Sequence, residues 1–218
     1  MGDGMRIGVV SDTHDRHEAI AEAVRRLQEH QVELILHCGD IESVAAVEAF
    51  RPVPTYFVFG NWDRQRQELA RAIKQIGGVH FETFGALEIG GKRIAWLHSH
   101  ERRHLRQLEM ADYFDYLFYG HTHMREQHRT GRTLVANPGA LFRANPRTCI
   151  VVDIHSGEIK PLIIAPADKA SPEAAPSWPT LDPSDSAPHL PLAVPPPSTA
   201  PPAPSSLLPP PSDSTPSP

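Results

Sequence analysis

Cysteine is nearly absent from this chain. Cys38 and Cys149 are the only two in 218 residues, too few and too far apart for a disulfide framework, and both lie in apolar runs where a free thiol packs well. Long apolar runs are missing as well. None approaches the roughly 20 residues that a bilayer-crossing helix needs, and the start MGDGMRIGVV has neither the basic segment nor the cleavage site of a secretory signal. A cytoplasmic protein with no membrane partner is therefore expected. A basic patch is lacking too: the formal net charge is −5, and Asp168, Glu173, Asp182, Asp185 and Asp213 against Lys169 put most of it after Ala165. The nearly neutral remainder argues against an extended nucleic-acid partner.

Proline is scarce in the first 164 residues, which hold five of the 23, and dense afterwards. This divides the chain into a globular domain, 1–164, and a proline-rich tail, 165–218. The tail's apolar residues are scattered singly or in pairs and cannot bury enough surface to offset the entropy of ordering, so a disordered, polyproline-prone segment is expected. Its end, LPPPSDSTPSP, reads either as a passive tail or as a ligand for an unknown protein.

The first half of the domain alternates strand and helix. RIGVV at 6–10 reads as a strand, and Asp15 and Glu18 have the spacing of a capping box before a helix with Ile20, Ala23, Val24 and Leu27 on one face. ELILHCGD at 33–40 and TYFVFGN at 55–61 read as further strands, with helices at 44–50 and 64–76. From Val79 strands dominate, with hairpin turns at Gly90-Gly91, Thr130-Gly131 and Ser156-Gly157, a helix at 101–111 and a buried strand in YLFYGHTH. The expected fold is α/β, a four-layer α/β/β/α sandwich of two packed mixed sheets flanked by helices.

Polar clusters stand where apolar strands end: SDTHD at 11–15, HCGD at 37–40, GNWD at 60–63, LHSH at 97–100 and GHTH at 120–123. Each alone has a plain reading as turn or cap chemistry, and Asp63 is a natural N-cap for the helix that follows. Together, on the strand ends of one sheet, they deliver carboxylate, amide and imidazole donors to one edge, as a dinuclear hydrolase requires. Such mixed donors suit Mn, Fe, Ni or Zn better than Ca or Mg.

Asp12-x-His14, Gly39-Asp40, Gly60-Asn61-x-Asp63, His98 and Gly120-His121-x-His123, in this order, resemble the calcineurin-like metallophosphoesterase superfamily. The compact length and NPGALFRANPR at 137–147 are similar to its small YfcE-type phosphodiesterases. The resemblance spans residues 6–164. It implies two divalent transition-metal ions, manganese first and nickel, iron or zinc next. Asp12, His14 and His123 would hold the first, Asn61, His98 and His121 the second, and Asp40 would bridge both. It also implies hydrolysis of small phosphodiesters by attack of a metal-bridging hydroxide. Two other readings stay open: a phosphomonoesterase, and a protein-binding scaffold with little catalysis, like the retromer subunit of this fold. Oligomeric state is left open.

Two positions depart from the pattern. Trp62 stands where many superfamily members carry a histidine that protonates the leaving oxygen, and an indole has no accessible titration. His100 is the candidate proton donor in its place, against a solvent-facing reading, while Trp62 either stacks on an aryl group or nucleobase or packs over the second metal. Ser99 replaces a common glycine. Arg143 and Arg147 flank the Asn137-Pro138-Gly139 turn as surface arginines within reach of a phosphate. His17, His104 and His128 are expected at the surface.

Overall fold

Ile7 and Val9 face one side of the first strand and Gly8 and Val10 the other, and both sides are covered. A computed structural model describes residues 5–165. The first half runs β1 (Arg6–Val10), α1 (His17–Glu29), β2 (Leu34–His37), α2 (Val44–Glu48), β3 (Thr55–Phe57), α3 (Arg66–Gln75) and β4 (Val79–His80). The second half runs β5 (Phe84–Ile89), β6 (Lys92–Leu97), α4 (Arg102–Met110), β7 (Tyr116–Tyr119), β8 (Glu126–Thr130), β9 (Thr133–Asn137), β10 (Thr148–Asp153) and β11 (Ile159–Ile163). The expected tail lies outside the described residues apart from Ala165.

Two mixed sheets form. One has the order β11-β10-β1-β2-β3-β4, the other β5-β6-β7-β9-β8. In the first, β1 to β4 are parallel and β10 and β11 add antiparallel edges; in the second, β6, β7 and β9 are parallel between antiparallel β5 and β8. The alternation of each strand then sorts the core into layers. Ile7, Val9, Leu36 and Ile150 meet Ile94, Trp96, Phe118 and Leu134 between the sheets. Val10, Ile35 and Phe57 meet Ile20, Leu27, Val47 and Ile73 of the helices. Ala95, Leu97 and Leu117 meet Leu108 of α4 on the far side. Each fully buried side chain of this kind contributes about 1.5–3 kcal/mol. The four-layer α/β/β/α sandwich is as expected.

The expected capping box is not. Helix α1 starts at His17 with no side-chain cap on its free N–H groups, and the Asp15 carboxylate instead takes the Ser43 hydroxyl and His17 Nε2. The wider context overrode a local signal: Asp15 sits at φ 58°, in a loop whose N–H reaches the Ile41 carbonyl. Helix α2 does have its cap, Ser43 accepting the Ala46 N–H at 3.1 Å.

Candidate metal centre

The polar clusters converge, but from two sheets rather than one. Asp12, Asp40 and Asn61 follow β1, β2 and β3 of the six-stranded sheet, whereas His98 and His121 follow β6 and β7 of the five-stranded sheet. The carboxyl ends of the parallel strands in both sheets point to the same rim, and the site lies between them.

The loops that do this are backbone-strained. Asp12, His14, Asp40, His121 and His123 all have positive φ, between 41° and 76°, as does Ser99 at 71°. Left-handed backbone costs L residues of this type on the order of 1 kcal/mol each and persists where surrounding structure dictates it. Close approach adds a second constraint. A Cβ on Gly60 would stand 2.1 Å from Asp40 Oδ1, and one on Gly120 1.9 Å from Ser11 Oγ. Only glycine lets these loops touch the carboxylates.

Each carboxylate is held by one oxygen and offers the other. Asp12 Oδ2 accepts the Ser11 hydroxyl at 2.5 Å and the His121 N–H at 3.0 Å, leaving Oδ1 3.2 Å from His123 Nε2. Asp40 Oδ1 accepts the Trp62 N–H at 2.9 Å, leaving Oδ2 3.1 Å from His98 Nε2 and 3.6 Å from His14 Nε2. The imidazoles are oriented in the same fashion. His98 donates Nδ1–H to the Cys38 carbonyl at 2.9 Å and His14 shares Nδ1 with Glu42 at 2.6 Å, so both turn Nε2 inward.

That inner face is crowded with acceptors. Asp12 Oδ1 is buried with only His123 Nε2 beside it at 3.2 Å, His14 Nε2 is buried with no hydrogen-bond partner, and His98 Nε2 faces two acceptors, Asp40 Oδ2 and Asn61 Oδ1, the latter at 3.0 Å. A neutral imidazole would aim its lone pair at both. The electrostatics follow. Burial works to lower the His98 pKa, yet Asp40 and Asp12 outweigh it and raise it; contact with Asp12 raises His123 likewise. Burial would lift Asp12, but His123, His98 and Ser11 hold its carboxyl below the usual carboxylate range. Positive charge is favoured at these two imidazoles. Asp12, His14 and His123 form one cation-sized group, and Asp12, Asp40 and His98 another.

The ring of His121 lies 5.1 Å from that of His98, and its imidazole belongs to neither group. His100 is exposed, its ring 5.7 Å from His98 and 6.4 Å from His121. Burial and then the charge of His98 push its pKa below the ordinary histidine value.

Asp63 is neither a helix cap nor a ligand. Helix α3 begins at Arg66 without a side-chain cap, and the buried Asp63 carboxylate accepts four backbone N–H groups: Asp40 at 2.9 Å, Gly60 at 2.7 Å, Ile41 at 2.7 Å and Glu42 at 2.9 Å. Burial raises its pKa and these bonds only partly offset the rise. Trp62 is 52% exposed, with its ring 6.1 Å from His14 and under the Arg64 guanidinium. Its ring therefore borders His14 of the first cation group, while its N–H holds Asp40 of the second.

Residues 5–157 match the calcineurin-like phosphoesterase superfamily domain. The chain belongs to that superfamily. It is 31% identical over 165 residues to a phosphodiesterase of Methanocaldococcus jannaschii, covering 73% of this chain and 99% of the relative. The solved structure of an archaeal phosphodiesterase superposes with a TM-score of 0.69 at 28% identity, covering 73% and 99%. The phosphoesterase YfcE of E. coli (TM-score 0.53, 17% identity, 74% and 100%) and zinc-complexed Vps29 of Entamoeba histolytica (0.55, 21%, 72% and 90%) share the fold.

Sequence reasoning missed several residues around this superfamily site. His37 is fully buried against Phe50 and Phe57, where burial pushes its pKa down to about 3; it accepts the Gly39 N–H and faces the Thr13 hydroxyl, bracing the loops of Asp12 and Asp40. Phe142 packs its ring 4.7 Å from His14 and 6.2 Å from His123 and carries two guanidinium groups, Arg16 at 4.7 Å and Arg143 at 4.9 Å. Nothing in the local pattern signals these contacts, because the partners are distant in sequence. His128, expected at the surface, is half-buried with Nε2 3.4 Å from Glu109.

Proposed function

We propose that the chain is a dinuclear metal-dependent phosphodiesterase acting on small phosphodiesters. One observation carries the reading: His14 Nε2 is buried without a hydrogen-bond partner, facing Asp12 Oδ1 at 3.9 Å and an Asp40 oxygen at 3.6 Å that also lies 3.1 Å from His98. Asp12, His14 and His123 would hold one divalent ion, Asn61, His98 and His121 the other, and Asp40 would touch both. The oxygen and imidazole donors suit manganese, with nickel, iron or zinc as substitutes. When bound, such a pair lowers the pKa of water and polarises phosphoryl oxygens.

The chain's own residues do the rest. Ser11, the Trp62 N–H and Asp63 fix the two carboxylates and their loops, so the donors are preorganised. Exposed Trp62 offers a stacking face to an aryl or nucleobase group beside His14. His100, at the rim beside His98, is placed to give a proton to the leaving oxygen. Burial and the charge of His98 lower its pKa and so disfavour its protonated form, which favours diesters with good leaving groups. The intact donor set supports hydrolysis over a scaffold role, which does not require all seven donors. No described helix is long and apolar enough to cross a membrane, and the buried, unpaired Cys38 and Cys149 support a cytoplasmic setting.

The test is a screen of EDTA-stripped protein, reconstituted with single metals, against bis(4-nitrophenyl) phosphate, 4-nitrophenyl phosphate and cyclic nucleotides. Manganese-stimulated diester cleavage, lost in Asp40→Asn and His121→Ala, is the expected result. Metal-replete protein inactive on every substrate would overturn the reading, and a preference for the monoester would reassign the class.

A further inference from the structure

Arg16 and Arg143 come from opposite ends of the domain sequence and meet on one ring. Each guanidinium lies within 5 Å of the Phe142 centroid, and that ring in turn packs on His14. Among the described residues neither guanidinium has a carboxylate partner. Asp15, next to Arg16 in sequence, is engaged with Ser43 and His17, and Glu42 with His14. Arg143 also sits at φ 47°, a conformation costly for a long side chain and concentrated at ligand clamps. Two exposed, like-charged groups held on one aromatic ring repel each other, and an anion that pairs with them relieves that repulsion.

Space for the rest of a substrate lies alongside. A cavity of about 410 Å³ opens beside His123, lined also by Met124, Arg125, Arg143, Asn145 and Pro146. That volume is ordinary for a small-molecule site.

We infer that Arg16 and Arg143, seated on Phe142, form a second anion site that selects phosphodiesters whose organic part carries an additional phosphate. A terminal phosphate, dianionic with three free oxygens, matches two guanidinium forks better than a carboxylate does. The site rests on the phosphodiesterase reading for its substrate class, but the clamp itself is read from Arg16, Arg143 and Phe142. Arg16 and Arg143 act on substrate choice rather than on the bond broken.

The test uses the full chain and a matched pair of substrates, thymidine 3′-(4-nitrophenyl phosphate) with and without a 5′-phosphate. The wild-type protein is expected to favour the 5′-phosphorylated ester by about tenfold in kcat/KM, chiefly through KM, and Arg16→Gln/Arg143→Gln to bring the ratio to about one. A ratio near one in the wild type, or an unchanged ratio in the double variant, overturns the proposal. Calorimetry on the protein as isolated adds a readout independent of turnover. Thymidine 3′,5′-bisphosphate is expected to bind about tenfold more weakly to the double variant. Equal binding to both proteins counts against the clamp. Weaker binding to the variant in a protein that cleaves no ester keeps the clamp and removes the hydrolase reading.

Discussion

Asp40 and Asp63 are locked to each other through the backbone: Asp63 Oδ2 accepts the Asp40 N–H at 2.9 Å, and Asp40 Oδ1 accepts the N–H of Trp62, the residue before Asp63, at 2.9 Å. One carboxylate thus builds the loop that aims the other. Asp63→Asn replaces one of its oxygens with a donor facing other donors, whose buried N–H groups lose their acceptor. Urea unfolding is expected to show a loss of about 2–4 kcal/mol. A loss under about 1 kcal/mol, as for a simple helix cap, would contradict this role.

Gly120 is a contact position as much as a turn. A Cβ there would stand 1.9 Å from Ser11 Oγ and 2.8 Å from Asp12 Oδ2, inside van der Waals distance of the group that orients Asp12. Gly120→Ala is expected to keep the circular dichroism of the folded protein while weakening metal binding by at least about tenfold in calorimetry. Unchanged affinity would show that the Asp12 orientation does not matter.

Metal uptake and protonation compete. His98 and His123 have raised pKa values because Asp40 and Asp12 face them, so both hold protons to higher pH than free histidine, and a metal must displace those protons. Affinity is therefore expected to fall as pH drops from about 8 to 6. Calorimetry in buffers of different ionisation enthalpy should report proton release on binding. Proton-neutral binding would contradict it.

His37 makes the fold acid-sensitive. Its folded pKa of about 3 lies below the ordinary value of 6.5, so its neutral form contributes stability that is present above pH 6.5 and is lost as pH falls towards 3. His98 and His123 work the other way, which is why a variant comparison is needed. Between pH 6.5 and 4.5 the wild type is expected to lose about 2–3 kcal/mol more than His37→Asn in urea unfolding. Parallel curves would contradict the assignment.

The convergence of candidate donors was legible because chemistry-bearing residues at strand ends have few other reasons to accumulate, and the element order followed from apolar periodicity in segments such as 20–27. What escaped the sequence depended on partners far away in the chain. That the ends belong to two sheets follows from β6 and β7 pairing with each other instead of with β1 to β3. The role of Asp63 is set by the loop after β2, and the Phe142 platform brings Arg16 and Arg143 together across most of the domain. Asp15 illustrates the opposite failure, a correct local motif drawn off by Ser43 and His17.

The central claim is that Asp40 joins two cations, and electron paramagnetic resonance of the manganese-loaded protein tests it most directly. An exchange-coupled dinuclear spectrum is expected from the wild type, giving way in Asp40→Asn to the hyperfine pattern of isolated Mn(II). Isolated Mn(II) in the fully loaded wild type would contradict the account.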